Sequence, residues 1–122
     1  MAKILTVDDA AFKRNIIKNT LGKAGYTEIY EAIDGFQAIE RFMQIKPNLV
    51  LLDITMPNLN GLETLRVIRT ADPNANVVMC TAMGQESMVL EAMKYGARDF
   101  IVKPFKADRL VRTVTSIIGE PS

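Results

Sequence analysis

The stretch Asn48-Leu49-Val50-Leu51-Leu52-Asp53-Ile54-Thr55-Met56-Pro57 decides how the chain reads. Four apolar residues run without a break into one acid, and a proline follows four positions later. An unbroken apolar run of strand length suits a strand buried on both faces, as in a parallel sheet. The acid then stands at the carboxyl end of that strand, where open α/β sheets place their ligand crevices. Asp53 is therefore read as the reactive group, and the rest of the chain is read for what it brings to Asp53.

On the N-terminal side, Ile4-Leu5-Thr6-Val7 is a short apolar run closed by Asp8-Asp9. Phe12, Ile16, Ile17, Leu21 and Ala24 recur at helical spacing, with Gly25 as the stop. Thr27 to Ala32 alternates weakly and reads as the second strand. After the Asp34-Gly35 turn, Ala38, Ile39, Phe42 and Met43 give a second apolar stripe, ended by Lys46-Pro47-Asn48. Beyond the third strand, Asn60-Gly61 turns the chain into a helix marked by Leu62, Leu65 and Ile68. Val77-Val78-Met79-Cys80 closes on Thr81-Ala82, and Met88, Val89, Ala92 and Met93 form the next helix, stopped by Gly96. Phe100-Ile101-Val102 closes on Lys103-Pro104, and Leu110, Val111, Val114, Ile117 and Ile118 mark the last helix, before a Gly119–Ser122 tail. Strand and helix alternate five times with short connections, which predicts an α/β, doubly wound parallel sheet with helices on both faces. Without a repeat, linker or low-complexity segment, residues 1–122 are expected to form one domain.

Bulk properties narrow the function. At 122 residues the chain is long enough to bury about two-thirds of its unfolded surface. A hydrophobic share of 48%, a charged share of 24% and a net charge of +1 argue against a nucleic-acid or membrane surface. The single Cys80 fits a reducing compartment and reads as an inert core residue, and the N-terminus leaves no room for a signal peptide, so a cytoplasmic protein is expected. The methionines fall mostly on apolar stripes and read as core, with Met83 and Met88 as candidates for a partner surface. The chain has no histidine, which excludes Ser-His-Asp triads and His-zinc sites.

The strand ends hold the chemistry. Strand 1 ends in Asp8 and Asp9, strand 3 in Asp53, strand 4 in Thr81 and strand 5 in Lys103, and in a parallel sheet these ends share one edge. Clustered carboxylates repel one another, and a hard divalent cation removes that cost. Magnesium takes one or two carboxylates and binds phosphate oxygens, while a lysine and a hydroxyl suit a phosphoryl group. The chemistry implied is attack of an Asp53 carboxylate oxygen on a phosphoryl group, giving an aspartyl-phosphate. Each residue also has a plainer role open to it: Asp9 as the cap of helix 1, Asp53 as a loop acid, Thr81 as a strand-end hydroxyl, Lys103 as a solvated lysine. Those roles would all have to hold at once, at four strand ends.

Val7-Asp8-Asp9, Leu52-Asp53-Ile54-Thr55-Met56-Pro57, Thr81-Ala82 and Lys103-Pro104-Phe105 together resemble bacterial two-component receiver domains over nearly the whole chain. The resemblance implies a flavodoxin-like strand order 2-1-3-4-5. It implies Asp53 as phosphoacceptor, Asp9 as direct magnesium ligand, Asp8 holding metal-bound water, and Thr55 adding its backbone carbonyl. It also implies Thr81 and Lys103 gripping phosphoryl oxygens, a cis Lys103–Pro104 bond, and Phe100 as the switch aromatic that responds to Thr81. Asp8-Asp9-Ala10-Ala11-Phe12, Ala82-Met83-Gly84-Gln85 and Asp99–Phe105 are similar to the single-domain chemotaxis form of the family in Gram-positive and deep-branching bacteria, with Thr81 where that form often has serine. A domain of that kind catalyses only its own phosphorylation and dephosphorylation. It takes the phosphoryl group from a sensor histidine kinase (CheA-like), signals as a monomer to the flagellar motor switch (FliM-like), and is served in some cases by a dedicated phosphatase.

The implied output face is helix 4, strand 5 and helix 5. There Lys94, Tyr95, Arg98, Phe100, Lys106, Arg109 and Arg112 gather, as a docking face for an acidic peptide or simply as a solvated basic face. Three alternatives compete. A receiver domain of another pathway would have the same site. A haloacid dehalogenase-type phosphatase would need an acid where Thr55 stands. A flavin carrier would need a Ser/Thr/Gly-rich first loop where Asp8-Asp9-Ala10-Ala11 stands.

Overall fold

The computed structural model describes residues 2–56 and 58–121; Met1, Ser122 and the Pro57 of the β3 motif lie outside the described residues. Five strands alternate with five helices: β1 (Lys3–Val7), α1 (Ala11–Lys23), β2 (Glu28–Ala32), α2 (Gly35–Ile45), β3 (Leu49–Asp53), α3 (Gly61–Ala71), β4 (Val77–Ala82), α4 (Glu86–Lys94), β5 (Asp99–Lys103) and α5 (Ala107–Ile118). All strand pairs are parallel and the order is β2-β1-β3-β4-β5. The expected doubly wound sheet and its order are both found.

Strand β3 lies in the middle of the sheet, and every residue from Leu49 to Asp53 is buried. Its alternate side chains enter two cores. Val50 and Leu52 join Leu5, Val77 and Met79 against Phe42 of α2, Leu65 and Ile68 of α3, and Val89 of α4. Leu49 and Leu51 join Ile4, Val78, Cys80 and Ile101 against Ile17 and Leu21 of α1 and Leu110 and Val114 of α5. Asp8, Asp53 and Lys103 continue the second series by the two-residue period, so they face the α1/α5 side. Thr81 and Phe100 continue the first and face the α2–α4 side. Cys80 is buried, and burial pushes its thiol up to about 12, which leaves it inert as expected.

Several apolar positions expected in the core are exposed instead: Phe12 and Ile16 on α1, Met43 on α2 and Met93 on α4. Each lies at the edge of its stripe, and with one sheet face to cover, a helix buries only the middle of such a stripe. The methionines divide the same way. Met56 and Met79 are buried, while Met43, Met83 and Met93 are exposed, so reading them as mostly core is corrected. Met83 is the most exposed of them at 83%. Helix α5 opens at Ala107, which makes Lys106 its N-terminal flanking residue and not part of its face.

Candidate functional site

The sheet order places β1 beside β3, at the point where the chain reverses its direction of winding. A crevice opens beyond the carboxyl ends of strands at such a point, because the following helices leave to opposite faces. Here it is a cleft of about 610 Å³ lined by Asp8, Asp9, Asp53, Thr55, Gln85 and Lys103, with Phe12, Ile16, Pro104 and Phe105 as an apolar flank. Carboxylate oxygens of Asp8, Asp9 and Asp53 lie within 4.8 Å of one another. Asp8 and Asp53 are buried and Asp9 is exposed. Lys103 Nζ reaches between the two buried acids, 3.2 Å from Asp8 Oδ2 and 3.2 Å from Asp53 Oδ1. The Lys103–Pro104 bond is cis, as the resemblance implied.

The electrostatics follow from that packing. Burial raises the Asp53 carboxyl above its ordinary value; Lys103 pulls it down and the Asp8 charge pushes it up again. Burial alone would lower the Lys103 ammonium, but Asp53 and Asp8 outweigh that and raise it. One lysine thus leaves two buried acids undercompensated, with a third acid at the rim. Three hard oxygen donors from two strand ends suit a small divalent cation, and the residues present fit one.

Neighbouring residues hold the acids in place. Asp8 Oδ1 accepts from the Ala10 N–H at 2.9 Å, closing the β1–α1 turn. Ala10, not Asp9, is the N-cap of α1 and caps nothing with its side chain, so the plain capping role for Asp9 does not hold. Arg14 Nη1 donates to the Asp8 carbonyl oxygen at 2.6 Å while its Nε donates to Glu31 at the edge of β2 at 2.9 Å. Arg14 and, less, Lys18 hold the Glu31 carboxyl below its ordinary value against the opposing effect of burial. Gly61 opens α3 directly against β3: a Cβ there would fall 2.7 Å from Ile54 Cα and closer still to the Asp53 carbonyl oxygen. Arg14, Glu31 and Gly61 drew no functional reading from the sequence, since their partners lie on other elements.

Thr81 stands apart from this cluster. Its hydroxyl is buried and donates to Gln85 Oε1 at 2.8 Å or to the Ala82 carbonyl at 3.1 Å. Gln85 Oε1 also accepts from the Ala82 N–H at 2.7 Å, and Gln85 Nε2 donates to Thr55 Oγ1 at 2.7 Å. The Ala82 N–H has only a proton to offer, so the carboxamide oxygen must face it. The structure therefore gathers the three acids and Lys103, and sets the buried Thr81 hydroxyl on a different partner, Gln85.

On the basic face, Phe100 and Tyr95 are each half-buried against the α2–α4 core, and the Arg66 guanidinium lies over the Tyr95 ring, 4.8 Å from its centre. Arg98 donates to Asn76 at 2.8 Å and Arg109 to the Phe100 carbonyl at 3.4 Å. Lys94, Lys106 and Arg109 are exposed.

Known proteins match the chain over most of its length. Residues 4–115 match the response regulator receiver domain. The chain belongs to the receiver domain family of response regulators. It is 47% identical over 115 residues to the chemotaxis protein CheY of Thermotoga maritima, covering 94% of this chain and 96% of that protein. Among solved structures, the receiver domain of NtrX from Brucella abortus superposes with a TM-score of 0.90 at 36% identity, covering 95% of this chain and 98% of that one. The CheX-CheY-BeF3-Mg2+ complex from Borrelia burgdorferi gives a TM-score of 0.90 at 33% identity, covering 96% of this chain and 89% of that one. Among the described residues, no helix is long and apolar enough to cross a membrane.

Proposed function

We propose that this receiver domain is a phosphorylation-activated switch whose phosphoacceptor is Asp53. The observation that supports it most is the meeting of Asp8, Asp9 and Asp53 with Lys103 in one cleft. An Asp53 carboxylate oxygen attacks the phosphorus of a phosphohistidine on a sensor kinase. The new O–P bond forms as the N–P bond breaks, and the electron pair stays on the leaving imidazole nitrogen. Lys103, already 3.2 Å from Asp53 Oδ1, meets the added negative charge. Asp9, Asp8, Asp53 and the Thr55 carbonyl would hold Mg2+. When bound, the ion offsets carboxylate repulsion and neutralises charge on the phosphoryl oxygens.

The domain acts on no substrate beyond its own aspartyl-phosphate. Modification biases Thr81 and Phe100, which lie on the same side of the sheet, toward a second arrangement. The face of Lys94, Tyr95, Arg98, Lys106 and Arg109 then changes its affinity for an acidic partner segment. The likeness to CheY proteins favours chemotaxis in the cytoplasm, with a CheA-like kinase, a FliM-like motor switch partner and, as in the Borrelia complex, a CheX-like protein.

Acetyl phosphate with Mg2+ should add one phosphoryl mass to the protein and none to Asp53→Asn; modification that survives the substitution refutes the assignment. A FliM N-terminal peptide should bind more tightly in the presence of beryllofluoride. If the peptide binds in neither state, the second reading gains: a receiver of another two-component pathway, which the likeness to the NtrX receiver domain, at a TM-score of 0.90, supports.

A further inference from the structure

Gln85 forms a bridge that the phosphorylation reading leaves without a role. Its carboxamide oxygen accepts both the Thr81 hydroxyl and the Ala82 N–H, at 2.8 and 2.7 Å, and its nitrogen ties that cluster to Thr55 across the cleft at 2.7 Å. The two captured donors lie at the carboxyl end of β4, the strand that pairs with the strand of Asp53. Thr81 lies one place beyond Cys80, which pairs with Asp53 in the sheet register, and Ala82 ends the strand. The Ala82 N–H lies on the edge of β4 that faces β3: the carbonyl of Cys80, two residues earlier on that same edge, accepts from Ile54 N–H at 3.1 Å.

We infer that Gln85 is a latch, its carboxamide oxygen holding in the unmodified protein the two donors that a phosphoryl oxygen on Asp53 takes over. This rests on Asp53 being the acceptor. A hydroxyl has one proton to give, so Thr81 cannot serve Gln85 and a phosphoryl oxygen together. Phosphorylation must break two hydrogen bonds to Gln85, and with them the link to Thr55. The latch lowers the affinity of the site for a phosphoryl group and links occupancy of the cleft to movement of the β4–α4 loop, which carries the exposed Met83. Gln85 is a positioning residue: it acts through Thr81 and Ala82.

The test compares wild type with Gln85→Ala, Gln85→Glu and Thr55→Val, using beryllofluoride in saturating Mg2+ as the probe and the Ala82 amide NMR signal as the readout. Gln85→Ala should lower the half-saturating beryllofluoride concentration about fivefold, the worth of one net hydrogen bond. Gln85→Glu, whose carboxylate grips both donors more strongly and repels the incoming anion, should raise it. A residue that only stabilised the fold would move both variants the same way. Thr55→Val should act like a weaker Gln85→Ala and add nothing in the Gln85→Ala background. Should Gln85→Ala misfold, Gln85→Asn, one methylene too short to span the loops, should move in the same direction. A Gln85→Ala protein that binds Mg2+ alone as wild type does, yet beryllofluoride no more tightly, overturns the latch and leaves the phosphoacceptor reading standing. Wild type that neither responds to beryllofluoride nor gains phosphoryl mass sinks both.

Discussion

At the scale of single residues, the carboxyl of Asp53 is held buried at the expense of stability. Its carboxyl is buried beside another acid and is raised above the ordinary value near 3.8. The folded protein therefore keeps that proton to a higher pH than the unfolded chain does. The associated stability is complete below the unfolded value and is lost as pH rises through the folded one. Asp53→Asn removes the cost, so in metal-free buffer at neutral pH it should unfold at a higher urea concentration than wild type. The gap should close as pH falls toward 4, which urea titrations at several pH values would show; a gap that widens on acidification contradicts the sign. Asp8, Asp9, Asp53 and Lys103 were legible in the sequence because each is a polar residue ending an apolar run. The direction of the Thr81 hydroxyl was not, because it depends on Gln85, whose own anchor Thr55 lies 30 residues away.

At the scale of elements, the β3–α3 connection decides where Asp53 sits. Helix α3 starts with a capping box between Asn60 and Glu63, which sets its first turn. Gly61 brings that turn against the backbone of Asp53 and Ile54. The atoms a methyl group would meet are backbone atoms and cannot rotate away. Gly61→Ala should therefore cost about 1–3 kcal/mol in a denaturant titration. It should also slow phosphorylation from acetyl phosphate, because the loop carrying Thr55 must shift. Loss of stability with an unchanged rate would separate the two effects. Asn60-Gly61 was readable as a turn, but the need for glycine there was not. It arises from the closeness of a helix start to the preceding strand, and composition does not record distance.

At the scale of the whole molecule, the winding reversal between β1 and β3 brings acids from positions 8, 9 and 53 to one cleft. Their repulsion is a strain on the fold that a bound cation would relieve. The melting temperature should rise with the logarithm of Mg2+ concentration, by an amount equivalent to about 2.7 kcal/mol at a hundredfold excess over the dissociation constant. Chelation should reverse the rise and Asp9→Asn should blunt it, both by calorimetry; a melting temperature indifferent to Mg2+ argues against the metal site. The sequence by itself determined the alternation of strands and helices, the parallel sheet and the acids and lysine at its working edge. Those follow from local periodicity and from the geometric rule that parallel strands end together. Tertiary structure alone decided which edge residues of each helix stripe stay in solvent, as with Phe12, Ile16 and Met93, and which partner each polar group finds. Burial and hydrogen bonding depend on what packs opposite a residue, and for Gln85, Arg14 and Gly61 that neighbour comes from another segment of the chain.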